Sequence, residues 1–301
     1  MAAVEILKNA IDMHIHCAPD TGPRYGDSAE LAIIAKDAGM RGMVVKDHLT
    51  QTVHKAALTN ELVAGFQVFG AAAMNLTNGG LSPRSAAFFV ALGAKLIWLP
   101  TMDSEYTWLK ASQGHYDAIY ATRNAYGIDY PKLTLLTEGM YKGTLRPEVK
   151  QIIDVVAKAD IVLCTGHHTP EETIAVLEYT RAIGFSRTVV THVNAFNEEF
   201  TAPVLDRLVA LGSVLELSNG ALVPLHWRQD PKVLVDIVRQ VGAKQCIVVT
   251  DGGQLENPSP PEALRSLCHI LLKEGITPAE IKTMIVDNPT RLLNLEPIAE
   301  A

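Results

Sequence analysis

Short, almost unbroken apolar runs alternate with longer amphipathic stretches along most of this chain. The runs end near His16, His48, Asn75, Thr101, His167, His192, Ser218 and Asp251. Most are four to eight residues long, as in Gly42-Met-Val-Val and Ile247-Val-Val-Thr, which is how strands covered on both faces read. The stretches between them carry helical signals. In Ser28-Ala-Glu-Leu-Ala-Ile-Ile-Ala-Lys-Asp-Ala-Gly39, Ser28 is placed to cap the start and Gly39 the end. Further helices are predicted from about Val53, Pro83, Pro147, Pro170, Glu199, Pro231 and Pro261. Proline recurs at the first helical position because its fixed φ and missing N–H suit it.

Eight strand–helix alternations predict a parallel sheet closed into a (β/α)8 TIM barrel, one domain over residues 1–301. The competing open, doubly wound sheet needs a glycine-rich phosphate loop after a strand, and none has the right spacing. Strand ends recur every 25–33 residues except between Thr101 and His167, where the interval doubles. That marks an insertion at about 102–146, after strand 4. It is rich in aromatics: Tyr106, Trp108, Tyr116, Tyr120, Tyr126 and Tyr130. A loop of this length is either a lid or pocket wall, or a subdomain packed on the barrel or a second copy. Lys132 to Gly143 reads as a short extended segment before the fifth helix.

Composition narrows the class. With 48% hydrophobic residues the chain can bury a full core, and a net charge of −7 argues against nucleic-acid binding, which needs a basic face. The N-terminus lacks a secretory pattern. The longest apolar stretch, Ala86 to Pro100, is broken by Gly93 and Lys95 and is too short for a bilayer, so no membrane role is expected. Cys17, Cys164, Cys246 and Cys268 form no Cys-x-x-Cys pair; Cys164 and Cys246, inside apolar runs, read as buried thiols, and alternation turns Cys17 away from the face that His14 and His16 share, so a reducing cytoplasm is the expected location.

The chemistry sits at the strand ends. His14-Ile15-His16 places two imidazoles two residues apart, on one face of strand 1. Cys-Thr-Gly-His167, Val-Val-Thr-His192 and Val-Val-Thr-Asp251 each put a further donor at the end of strand 5, 6 or 8. A hydrogen-bonded core histidine or a turn aspartate explains any one of them. All five on the catalytic end of one barrel point to a metal site. Imidazole and carboxylate together suit zinc first, with manganese, iron or nickel as alternatives. His168 adjoins His167 but is expected to point the other way.

This constellation resembles the amidohydrolase superfamily of metal-dependent hydrolases, in which His-x-His on strand 1 is followed by His, His and Asp on strands 5, 6 and 8. Asn288-Pro289-Thr290-Arg291-Leu292-Leu293 is similar to the Asn-Pro-Ala-Arg-Leu-Leu ending of many members, so the resemblance runs from Ile11 to Leu295. Lys46-Asp47-His48 on strand 2 and Gly79-Gly80 after strand 3 look most similar to a poorly characterised branch. The resemblance implies that His14, His16 and Asp251 hold one divalent ion, and that His167 and His192 complete that site or hold a second ion. It also implies an ion-activated water and Asp251 as general base and acid.

One departure stands out. Binuclear members carry a bridging carboxylate on strand 3 or 4, and here those strands end Ala71-Ala-Ala-Met-Asn75 and Ile97-Trp-Leu-Pro-Thr101. Lys46, which shares a strand face with His48, is one substitute if it takes up CO2; otherwise it makes a salt bridge with a barrel carboxylate. Glu138 is the other substitute. Lys46 and His48 are counted as catalytic candidates, and a single ion is favoured over two.

Arg24, Asp103, Trp108 and Arg228 are substrate-binding candidates, the arginines as bidentate anion partners, with surface arginines as the plainer reading. Tyr25, Asn219, His226 and Trp227 also follow strand ends. The expected activity is hydrolysis of an amide, cyclic amide, lactone or ester bond in a small-molecule substrate. Two alternatives remain open: a metal-dependent decarboxylase of an aromatic or unsaturated acid, which suits a mononuclear site, and a barrel that only binds metal or ligand. Aromatics of the insertion are candidates for a homo-oligomer interface.

Overall fold

The structure is a computed structural model that describes residues 5–113, 131–223 and 229–298. Among the described residues nine short strands all pair in parallel: β1 (Ile11–Ile15), β2 (Gly42–Val45), β3 (Gln67–Phe69), β4 (Ala71–Ala73), β5 (Leu96–Trp98), β6 (Val162–Cys164), β7 (Thr188–Val190), β8 (Val214–Ser218) and β9 (Cys246–Val249). Ladders run β1-β2-β3 and β4 through β9. β3 and β4 are halves of one barrel strand separated by Gly70: the first half pairs with β2 and the second with β5. At the other seam, Asp251 N–H donates to His14 O (2.9 Å), His16 N–H donates to Gly252 O (2.8 Å), and Ile15 bridges Gly252 in parallel. This is the predicted eight-stranded (β/α)8 barrel, with strand ends within a few residues of those read from the apolar runs.

Helices α1 (Ser28–Asp37), α2 (Val53–Leu62), α3 (Pro83–Leu92), α4 (Glu105–Ser112), α5 (Pro147–Lys158), α6 (Pro170–Ala182), α7 (Ala202–Ala210), α8 (Lys232–Val241) and α9 (Pro260–Lys273) alternate with the strands. The chain ends in α10 (Pro278–Lys282), a π-helical turn (Thr283–Asp287) and α11 (Asn288–Leu292). The helix starts follow the predicted prolines closely, with two corrections. The cap of α1 is Asp27, in a capping box with Glu30, and Ser28 is the first helical residue. The helix expected from Glu199 begins at Ala202, after Thr201 in an extended capping conformation and with Pro203 in its first turn; Glu199 lies before it and pairs with Lys110 of α4.

Alternation divides the core. Ile11, Met13, Val44, Ala71, Ala73, Trp98, Cys164, Val189, Val214 and Val249 fill the barrel interior. Ile15, Met43, Val45, Val190, Leu215, Leu217 and Val248 pack outward among the helices. β1 breaks strict alternation: Asp12 pairs with Met43 but Ile15 pairs with Val45, so one extra residue is accommodated between them. This bulge lets His14 and His16 follow Met13 on the inner side while Ile15 and Cys17 turn outward into the helix layer. All four cysteines are buried and unbridged.

The insertion after β5 contains α4 and then, from Pro131, a turn closed by Thr137 N–H to Thr144 O (3.0 Å) and Glu138 N–H to Lys142 O (3.2 Å). Tyr106 is fully buried against Phe196, and Trp108 is half-buried. Tyr116, Tyr120, Tyr126 and Tyr130 lie outside the described residues, as do His226, Trp227 and Arg228. Among the described residues no helix is long and apolar enough to cross a membrane.

Candidate metal centre

Five of the predicted side chains meet at the C-terminal mouth of the barrel. His14 Nε2 lies 3.3 Å and His16 Nε2 3.2 Å from the same oxygen, Asp251 Oδ1. The second Asp251 oxygen is 3.8 Å from His192 Nε2. The His192 ring stacks on His14 at 5.0 Å, and His167 lies 5.1 Å from His192. His14, His16, His167 and His192 are all buried. Two backbones in this group are left-handed: His192 has φ +57° and Asp251 φ +50°. Each is a local cost of about 1–2 kcal/mol that the surroundings must hold, and such strain gathers at working sites. Gly166 and Gly253 make the close approach possible. At φ +73° and +115°, a Cβ there would meet Leu99 O at 2.4 Å and His16 O at 1.9 Å.

Hydrogen bonds set the tautomers. Thr107 Oγ1 donates to Thr101 O (2.7 Å) and accepts from Ser104 Oγ (2.9 Å), so the His167 Nδ1 atom 3.1 Å away is the donor to it. The His167 lone pair is therefore on Nε2. His14 Nδ1 stands 3.2 Å from both oxygens of Glu216, a fully buried carboxylate on β8. A carboxylate in that position requires donors, so His14 carries its proton on Nδ1 and leaves Nε2 to face Asp251. His192 Nδ1 is 3.0 Å from Glu216 but out of line for a hydrogen bond; the His192 backbone N–H donates to that carboxylate instead, at 3.3 Å. Glu216 is thus the group that orients His14 and His192, as the outer partners of metal-binding histidines do.

Burial and charge reinforce this picture. Burial, aided by the Lys46 charge, holds His14 and His167 below the usual imidazole range; burial and Arg24 bring His16 down to about 3. Neutral imidazoles are the form that binds a cation. For Asp251 and Glu216, burial pushes the carboxyl upward, but His14 and His192 outweigh it and hold both groups ionised. His14 Nε2, His16 Nε2 and Asp251 lie within 4.8 Å of one another, and this set of two imidazole nitrogens and one carboxylate oxygen fits a divalent ion. His14, His192 and Glu216 are equally close, but the His14 proton between them makes that trio a support.

Lys46 and His48 both reach this group. Lys46 is 1% exposed, its Nζ has no hydrogen-bond partner among the described residues, and it lies 5.4 Å over the Trp98 ring. Burial lowers its pKa against the pull of Asp251 and Glu216. The predicted salt bridge is therefore a through-space attraction without contact. His48 is half-buried, stacks on His16 at 4.9 Å and bonds Thr101 Oγ1 through Nδ1 at 2.9 Å. His168 points away, to Glu172 at 3.0 Å. Glu138, the other proposed bridge, is exposed on its turn and is not one of the gathered residues.

Three substrate-binding candidates have structural partners. Arg24 pairs with Asp20 through two hydrogen bonds (2.8 and 2.6 Å), Asp103 accepts the Leu76 N–H (2.8 Å), and Trp108 carries Lys132 over its ring at 5.6 Å.

Several hydrolytic enzymes of solved structure share this barrel. An amidohydrolase from Pseudomonas aeruginosa superimposes with a TM-score of 0.61 at 11% identity, covering 98% of each chain. A triple mutant of the organophosphorus hydrolase from Deinococcus radiodurans gives 0.55 at 15% identity, over 97% of this chain and 95% of the other. A probable 2-pyrone-4,6-dicarboxylic acid hydrolase from Acinetobacter baumannii gives 0.58 at 12% identity, over 95% and 100%. At such identities the likeness is one of fold. No curated protein matches the sequence. By sequence the chain belongs to a family of unknown function, DUF6282, matched over residues 9–216.

Proposed function

We propose that this protein is a metal-dependent hydrolase of small molecules that cleaves an amide, cyclic amide, lactone or ester bond. The observation that carries this reading is the convergence of His14 Nε2 and His16 Nε2 on one oxygen of Asp251, with His192 and His167 beside them. His14, His16 and Asp251 would hold a divalent ion, zinc first, with His167 and His192 completing the set. When bound, the ion supplies Lewis-acid polarisation and lowers the pKa of a water. Asp251, held ionised, takes up a proton at a carboxylate oxygen and returns it to the leaving group. The Lys46 ammonium stabilises negative charge developing on the substrate, and half-buried His48 handles protons at the rim of the site. An ammonium at that position opposes a second cation, which favours one ion over two. The hydrolases of known structure with the same barrel support the reaction type.

The lysine also favours a second reading, a mononuclear decarboxylase, because no described carboxylate from the third or fourth barrel strand joins the cluster. Turnover of a panel of lactones, esters, cyclic amides and unsaturated acids in ¹⁸O-labelled water separates the two. Hydrolysis predicts one labelled oxygen in the acid product and loss of turnover with chelator. CO2 release without label would replace hydrolysis by the second reading.

A further inference from the structure

The centre has a support that its own donor set does not reveal. Asp12 lies two residues before His14, is fully buried, and sits at the β1 bulge. Its Oδ1 accepts the backbone N–H of His14 (3.1 Å) and of Thr250 (3.2 Å), and its Oδ2 accepts the Thr250 hydroxyl (2.5 Å). Thr250 Oγ1 in turn accepts the N–H of Gly252 (3.0 Å). One carboxylate therefore grips the two segments that carry the converging donors, His14-Ile15-His16 and Thr250-Asp251-Gly252. It does so at the seam where Asp251 N–H meets His14 O at 2.9 Å.

The grip acts where the backbone needs it. The bulge sets His14 and His16 inward, and the bonds at Thr250 and Gly252 bracket Asp251, whose φ is +50°. A left-handed aspartate returns to an ordinary conformation unless its neighbours hold it. Releasing it would carry Oδ1 away from the two Nε2 atoms.

We infer that Asp12, acting through Thr250, is the positioning residue of the metal centre, locking the β1 bulge and the turn after β9 in one geometry; this rests on the metal-centre reading above. Its contact is with backbone and hydroxyl groups behind the donors, so its effect is on how the ion is held. Outer partners of this kind are worth about 10- to 100-fold in metal affinity.

The test uses the full-length protein, stripped of metal and titrated with Co²⁺, with affinity read by chelator competition and ligand geometry by the visible d–d spectrum. Asp12→Asn keeps the shape but cannot accept at both oxygens. It is expected to weaken Co²⁺ binding about 10- to 100-fold and to alter the spectrum, with circular dichroism unchanged. Thr250→Val should do the same, Thr250→Ser should restore both readouts, and the double variant should be no worse than the weaker single. If Asp12→Asn does not fold, the Thr250 pair carries the same comparison. Wild-type affinity and spectrum in folded Asp12→Asn, or in Thr250→Val, would overturn the inference and leave the metal site standing. A wild-type chain that takes up no Co²⁺ would overturn both.

Discussion

Asp251→Asn is expected to lower turnover by about 10²- to 10⁴-fold while leaving the fold intact. Asparagine tolerates the left-handed backbone at φ +50° as well as aspartate does, so the bonds of Asp251 N–H to His14 O and of Gly252 N–H to Thr250 Oγ1 should survive. The carbonyl oxygen of the amide can still approach His14 and His16. What it cannot do is hold the proton that the reaction moves. Steady-state kinetics beside metal content separates the effects: a folded variant that keeps its ion but loses turnover assigns the proton to Asp251. Full turnover with metal retained would remove that assignment.

Acid should destabilise the metal-free protein well before its carboxylates titrate. His14, His16 and His167 have pKa values lowered by burial, so the native state keeps them neutral where the unfolded chain, near 6.5, takes up protons. Stability from these groups is full above 6.5 and falls as the pH drops below it. Asp12 acts oppositely: burial raises it to about 7 against the bonds it accepts from Thr250 and His14, so it is a carboxylate above 7, and below 7 the native state takes up a proton there that the unfolded chain, near 3.8, has lost. Its contribution grows as the pH falls from 7 toward 4. The histidines outnumber the one opposing group, so the net stability from these sites falls as the pH drops through the range where the unfolded imidazoles take up protons. Urea denaturation from pH 7.5 to 4.5 measures the slope; flat stability across that range would mean that the histidines are not held neutral.

The barrel was legible because strands buried on both faces must be almost wholly apolar, and because proline marks where most of the helices begin. The donors were legible because five of them recur at the ends of four such runs, which packing explains for any one alone but not for all together. What escaped is instructive. Glu216 lies inside Val214-Leu-Glu-Leu-Ser218, where it reads as an interruption of a strand. Its signal was that very position, since a carboxylate buried on both faces must find donors. Asp12 escaped for a similar reason, and alternation places it on the face of His14. Only the bulge, which no local pattern announces, puts it behind the ligand strand. The split of the third strand at Gly70 depends on how neighbouring strands pair, so it is likewise absent from the local sequence. The role of Lys46 turns on what stands around it: in three dimensions it is a buried amine over Trp98, its pKa lowered by burial against the attraction of Asp251 and Glu216.

The central claim is that the strand ends form a metal centre, and elemental analysis of protein purified without added metal or chelator tests it most directly. One equivalent of a transition metal per chain, lost on His14→Ala and on His16→Ala, is the result this account predicts. No metal in repeated preparations, and no uptake on adding zinc or manganese, would contradict it.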